Sequence, residues 1–169
     1  YDLDGDGLGD IVIGVPNATD GQRALVYFGT AGAQFLTAVD GTLIPPQFSA
    51  GFASRVAGIG DVNGDGFADL AIGAPSATLG EAQEGLVYLY FGGPGATFNS
   101  GNDGVLQVNQ AGAAFGVGLA SAGDFNGDGK TDYAVADTSL NAVVLRFGPS
   151  FSTRSTLAVG KAPVFVTVA

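Results

Sequence analysis

The chain has 169 residues, 29 of them glycine, and no Cys, His, Met or Trp. Without Cys or His it has no disulfide framework, no zinc-thiolate site, no cysteine nucleophile and no imidazole base or ligand. Six basic against 16 acidic residues give a net charge of -10, which argues against nucleic acid and anionic lipid as partners, while 46% hydrophobic content suffices for a folded core.

The chain opens on a nine-residue motif, Asp-Leu-Asp-Gly-Asp-Gly-Leu-Gly-Asp from Asp2, which returns as Asp-Val-Asn-Gly-Asp-Gly-Phe-Ala-Asp from Asp61 and Asp-Phe-Asn-Gly-Asp-Gly-Lys-Thr-Asp from Asp124. A short apolar run follows each copy: Ile11 to Pro16, Leu70 to Pro75, and Tyr133 to Asp137. About ten residues later a second run ends in Phe-Gly: Leu25 to Gly29, Leu86 to Gly92, and Val143 to Gly148. Their length, their β-branched and aromatic content and their Gly, Pro and Asn borders predict strands. The second runs are apolar on both faces, which predicts sheets packed between neighbouring sheets. Tyr27, Phe28, Tyr88, Tyr90, Phe91 and Phe147 fall in this repeated pattern and are read as core rather than as a sugar platform. Weaker strands are expected over Gln34 to Val39 and Val105 to Asn109, and the stretches Phe52 to Ala57 and Phe115 to Ala120 precede the second and third motifs.

Four short strands per unit of about 60 residues, with no helical periodicity, predict an all-β fold of β-propeller blades, each a four-stranded antiparallel sheet. The expected units are residues 1–51, 52–114 and 115–169 of one propeller segment. A closed ring takes about four to eight blades, so three imply a partial ring, a fragment of a six- or seven-bladed propeller, or a ring completed by other chains. The first unit lacks its leading strand, and the final run, Val164 to Val168, falls where the strand before a fourth motif is expected, so the frame cuts through a blade. That run is also a candidate donor strand. The N-terminus at Tyr1 shows no basic-then-apolar leader, so any targeting signal is expected outside this stretch, and no apolar run is long enough to insert into a membrane.

In each motif the oxygen-bearing side chains stand at positions 1, 3, 5 and 9, with Gly at 4 and 6. Calcium takes six to eight hard oxygen ligands, and glycines that reach positive φ let such side chains converge with the carbonyl of position 7 pointing inward. The predicted ligands are Asp2, Asp4, Asp6 and Asp10 with the Leu8 carbonyl; Asp61, Asn63, Asp65 and Asp69 with the Phe67 carbonyl; and Asp124, Asn126, Asp128 and Asp132 with the Lys130 carbonyl. An EF-hand needs Glu at position 12, where this chain has Ile13, Ile72 and Val135. A metal-free Asx-Gly turn would explain one copy, but three copies place ten of the 16 acids in self-repelling clusters. About three Ca2+ ions, one per loop, would neutralise most of that charge, and magnesium suits the pattern less because it keeps its waters. The Lys130 side chain is expected to point to solvent.

Phe-Gly or Phe-Ala before the loop, Asp-x-Asx-Gly-Asp-Gly-x-x-Asp within it and Gly-Ala-Pro after it resemble the FG-GAP repeat of integrin alpha-subunit β-propellers and related bacterial surface proteins. The resemblance is fullest from Phe52 through the Asp61 loop to Gly73-Ala74-Pro75 and Phe91-Gly92. The first unit has Gly14-Val15-Pro16 instead, and the third Ala136-Asp137-Thr138, a departure expected to loosen it. The resemblance implies calcium loops on one side of the propeller that stiffen it, partner binding through other loops, and an extracellular or cell-surface scaffold for adhesion to a protein or glycan ligand. Two other readings stand beside it: a structural subunit of a filament or surface layer built by strand complementation, and a carbohydrate-active hydrolase. The hydrolase is disfavoured because the clustered acids are claimed as ligands and the glutamates, Glu81 and Glu84, fall in a Gly-Glu-Ala-Gln-Glu-Gly turn read as solvated. Gly92-Gly93-Pro94-Gly95 reads as a plain turn rather than a phosphate loop. No catalytic residue is assigned.

Overall fold

The structure, a computed structural model, describes residues 1–19, 21–32, 38–45, 50–95, 101–149 and 154–167. The described residues contain strands and turns and no helix, in three antiparallel sheets. The first sheet is β1 (Ile11–Val15), β2 (Arg23–Tyr27) and β3 (Gly41–Leu43), in that order. The second is β4 (Arg55–Gly60), β5 (Asp69–Ala74), β6 (Leu86–Tyr90) and β7 (Gly104–Leu106), a four-stranded meander. The third repeats the meander with β8 (Leu119–Gly123), β9 (Asp132–Asp137), β10 (Ala142–Arg146) and β11 (Arg154–Ala158). These are blades of a β-propeller, as the sequence predicts, and the first lacks its leading strand.

Alternation along the strands builds the core between blades. In β5, Leu70 and Ile72 join a cluster with Ala24, Val26 and Leu43 of the first sheet, while Ala71 faces the third. In β6, Tyr88 and Tyr90 face the first sheet, and Val87 and Leu89 meet Phe115, Tyr133, Val135 and Val144 of the third. Each middle strand of the second sheet is therefore buried throughout because two sheets cover it, one on each face, and only Asp69 at the start of β5 is charged. Phe52 meets Tyr88 edge to face at 5.5 Å, with the rings inclined at 72°.

The Phe-Ala and Gly-Ala-Pro signatures meet where consecutive blades touch. Ala53, at φ 63°, and Gly116, at φ 87°, turn the chain just before β4 and β8, so these strands begin later than Phe52 and Phe115. A Cβ at Gly14 would strike the Ala53 carbonyl, and one at Gly73 would strike the Gly116 carbonyl, so each glycine admits the turn of the following blade. The third unit has Ala136 at this place, yet β9 is buried along its whole length. Its corner is closed by buried Asp137, whose Oδ1 accepts from Ser139 N at 3.0 Å and Leu140 N at 3.1 Å, while Thr138 Oγ1 donates to the Ala113 carbonyl at 2.8 Å. These bonds give the third unit a tied corner where a loose one is expected.

Three further points concern the strands outside the strongest pattern. The weak strand over Gln34 to Val39 lies mostly outside the described residues, and the third strand of that sheet is Gly41–Leu43. Strand β11 carries no signal recognised in the sequence, being polar at Ser155 and Thr156. The final apolar run forms no strand over its described residues 164–167 and lies against Gly118, with Phe165 77% exposed and the Arg55 guanidinium 5.3 Å from its ring centroid.

Candidate metal centres

The three nonapeptides adopt one hydrogen-bonded form. At position 1, Asp2 accepts from Gly5 N at 2.7 Å and Gly7 N at 2.9 Å. Asp61 accepts from Gly64 N at 2.6 Å and Gly66 N at 2.9 Å, and Asp124 from Gly127 N at 2.7 Å and Gly129 N at 2.9 Å. All six glycines have positive φ, from 77° to 95°, so the loop winds around its first carboxylate. The side chain at position 3 (Asp4, Asn63 or Asn126) accepts the N–H of position 5, and that at position 5 (Asp6, Asp65 or Asp128) accepts the N–H of position 7. Oxygens at 1, 3 and 5 are thus each held by the loop's own backbone N–H groups.

Position 9 performs a second task that the spacing alone does not reveal. Asp10 accepts from Leu3 N at 2.6 Å and Gly29 N at 2.8 Å; Asp69 from Val62 N at 2.8 Å and Gly92 N at 3.0 Å; Asp132 from Phe125 N at 2.9 Å and Gly148 N at 3.2 Å. Each ninth carboxylate therefore ties its loop to the glycine of its own blade's Phe-Gly pair. That glycine is required by space: a Cβ at Gly92 would meet the Ala68 and Leu3 carbonyls, and one at Gly148 the Val62 and Thr131 carbonyls. The signal in the sequence is the recurrence of Phe-Gly after each motif, with the glycine 16 to 23 residues beyond the ninth aspartate.

The first loop brings carboxylate oxygens of Asp2, Asp4 and Asp10 within 4.8 Å of one another. Asp6 is outside that trio. In the second and third loops position 3 is an amide, and there the described residues form no such carboxylate trio; Asn63 and Asn126 instead donate to Asp65 Oδ2 at 2.8 Å and Asp128 Oδ2 at 2.9 Å. Burial pushes Asp69 up to about 6, assisted by the charge of Asp65 and opposed by the Gly92 and Val62 amides. Burial, with the charges of Asp6, Asp10 and Asp2, also raises Asp4. Both shifts disfavour the charged form, and the donor set, all hard oxygen, fits calcium better than any softer ion.

Glu84 is not the solvated turn residue expected from its sequence. It is fully buried, and its Oε1 accepts from Leu79 N at 2.9 Å, Gly80 N at 2.7 Å and Glu81 N at 3.2 Å. Burial raises its pKa, but the amide bonds outweigh burial and leave it lowered. It anchors the turn between β5 and β6; Glu81 is exposed. The Lys130 side chain is half-buried and lies over the exposed Gly64 of the second loop.

Comparison with known proteins fits this geometry. Residues 52–90 match the FG-GAP repeat family. Integrin alpha-4 of Xenopus laevis is 33% identical over 155 residues, covering 88% of this chain and 15% of that protein. Integrin alpha-5 of Xenopus laevis is 33% identical over 154 residues (82% and 14%), and integrin alpha-IIb of Homo sapiens 37% over 153 residues (85% and 14%). The chain thus spans about one seventh of the length of these relatives. Residues 52–90 are an FG-GAP repeat, set within propeller blades that are similar to integrin alpha subunits along most of the chain.

Proposed function

We propose that this chain is part of an extracellular β-propeller scaffold for adhesion or protein–protein interaction, stiffened by about three Ca2+ ions. The observation that carries this is the threefold repetition of one loop form, in which oxygen-bearing side chains at positions 1, 3 and 5 are held by the loop's own N–H groups and position 9 clamps the loop to its blade. The proposed donors are those predicted from the sequence: Asp2, Asp4, Asp6, Asp10 and the Leu8 carbonyl; Asp61, Asn63, Asp65, Asp69 and the Phe67 carbonyl; Asp124, Asn126, Asp128, Asp132 and the Lys130 carbonyl. A bound ion supplies positive charge to crowded carboxylates, and the chain's own part is to hold those oxygens in register and pass their order to β5 and β9 through the ninth aspartate.

The repeat units over 1–51, 52–114 and 115–169 serve as stacked units of one propeller segment, and the partner is a protein or glycan presented at a surface. Exposed apolar side chains on the outermost sheets, Ile11 and Ile13 on one and Leu157 on the other, favour further blades as neighbours, in cis or from other chains. The same faces support the second reading, a structural subunit assembled by blade complementation. No catalysis is proposed, because the clustered acids are engaged in loops and Glu84 in a turn. Calcium titration by calorimetry and thermal melting tests the main reading: at calcium 100-fold over Kd each site should add about 2.7 kcal/mol, and chelation should lower the melting temperature. A chain that melts identically in calcium and in chelator would refute it.

A further inference from the structure

Side chains at position 7 cross from one loop to the loop before it. Phe67, seventh in the second loop, lies on Gly5, fourth in the first, where an added Cβ would run into its ring. Lys130, seventh in the third loop, bears the same relation to Gly64, fourth in the second, and it is Nζ that an added Cβ would meet. Backbone bonds repeat the offset: Ala68 N donates to the Asp2 carbonyl at 3.1 Å and Thr131 N to the Asp61 carbonyl at 3.4 Å. Thr131 adds its side chain against Gly60. Lys130 therefore belongs to the third loop by sequence and to the second by position. Gly64 stands between Asn63 and Asp65, and its N–H is bonded to Asp61 Oδ1 at 2.6 Å, so the ammonium rests at the rim of the second donor set. The first loop has an uncharged aromatic ring at the equivalent place.

We propose that Lys130 is a resident cation of the second ion loop and sets that loop's divalent-ion affinity below that of the first. This rests on the ion-binding reading above. A fixed positive charge at the rim repels an arriving divalent ion, and in a largely exposed setting the effect is on the order of five- to tenfold in Kd, weakening with salt. Removing that charge increases the gain in melting temperature on adding calcium.

The test is calcium titration calorimetry on the full chain and on Lys130→Met, which keeps the unbranched stem without the charge, at low and high salt. Each is also measured together with Asp65→Ala or Asp128→Ala. The expected result is one site tightened about five- to tenfold at low salt and less at high salt. The gain should vanish with Asp65→Ala and survive with Asp128→Ala. Lys130→Gln serves as a second neutral variant if Lys130→Met fails to fold. Calcium binding that neither neutral variant alters would overturn the assignment of Lys130 alone, as would a gain that survives Asp65→Ala and vanishes with Asp128→Ala. Absence of calcium heat in the parent chain would overturn the ion-binding reading, and this one with it.

Discussion

The second sheet and its two neighbours are built on one sequence pattern but occupy different surroundings. All of β5 and β6 is buried, whereas the outward side chains of β1, Ile11 and Ile13, are 53% and 47% exposed. The same contrast holds at position 2 of the loops. Leu3 and Val62 are buried, each sealed between its own blade and the next, while Phe125 is 64% exposed. An apolar residue at these places is therefore matched to a neighbouring blade rather than to its own sheet, and burial follows from stacking.

Paired substitutions break or sharpen this contrast. The largest effect is expected from Ile72→Ala, which removes a buried side chain between two blades and should cost about 2–5 kcal/mol in denaturant unfolding, against well under 1 kcal/mol for the equivalent Ile13→Ala. Equal costs at the two positions would mean that the first sheet is covered in solution as well.

Next comes Glu84→Gln, expected to cost about 1–3 kcal/mol because a neutral amide weakens three backbone bonds and places an NH2 group in a buried site. Because the folded pKa of Glu84 is lowered, its stabilisation is present above the ordinary value of 4.5 and is lost as pH falls through the lowered one. Asp69 has the opposite sign. Its folded pKa is raised from 3.8 to about 6, so the ion-free chain should lose stability as pH rises through that interval, and calcium should remove the loss. Urea unfolding from pH 3 to pH 7, in chelator and in calcium, separates the two windows; an unchanged profile in calcium would detach Asp69 from any ion.

The smallest effect concerns the loops. Phe125→Ala should change stability by less than about 0.5 kcal/mol, while Val62→Ala should cost about 1–2 kcal/mol by removing buried methyl groups. A large cost at Phe125 would reveal a neighbour seated on the third loop.

The repeats, the strands that follow each loop, the propeller architecture and the candidate donor residues were legible in the sequence, because they depend on local spacing: Gly where the loop turns, Asx where oxygen is needed, β-branched runs where strands form. What tertiary structure alone decided lies at contacts between residues far apart in the chain. The ninth aspartate reaches across 16 to 23 residues to the Phe-Gly glycine in each blade. Glu84 is buried because neighbouring turns close over it, although its flanking sequence is that of a solvated hairpin. Lys130 lies over another loop because consecutive blades are offset, and no pattern within nine residues encodes the offset. Local chemistry sets which turns and strands can form; the stacking of one blade on the next sets which side chains lose their water and which charges meet.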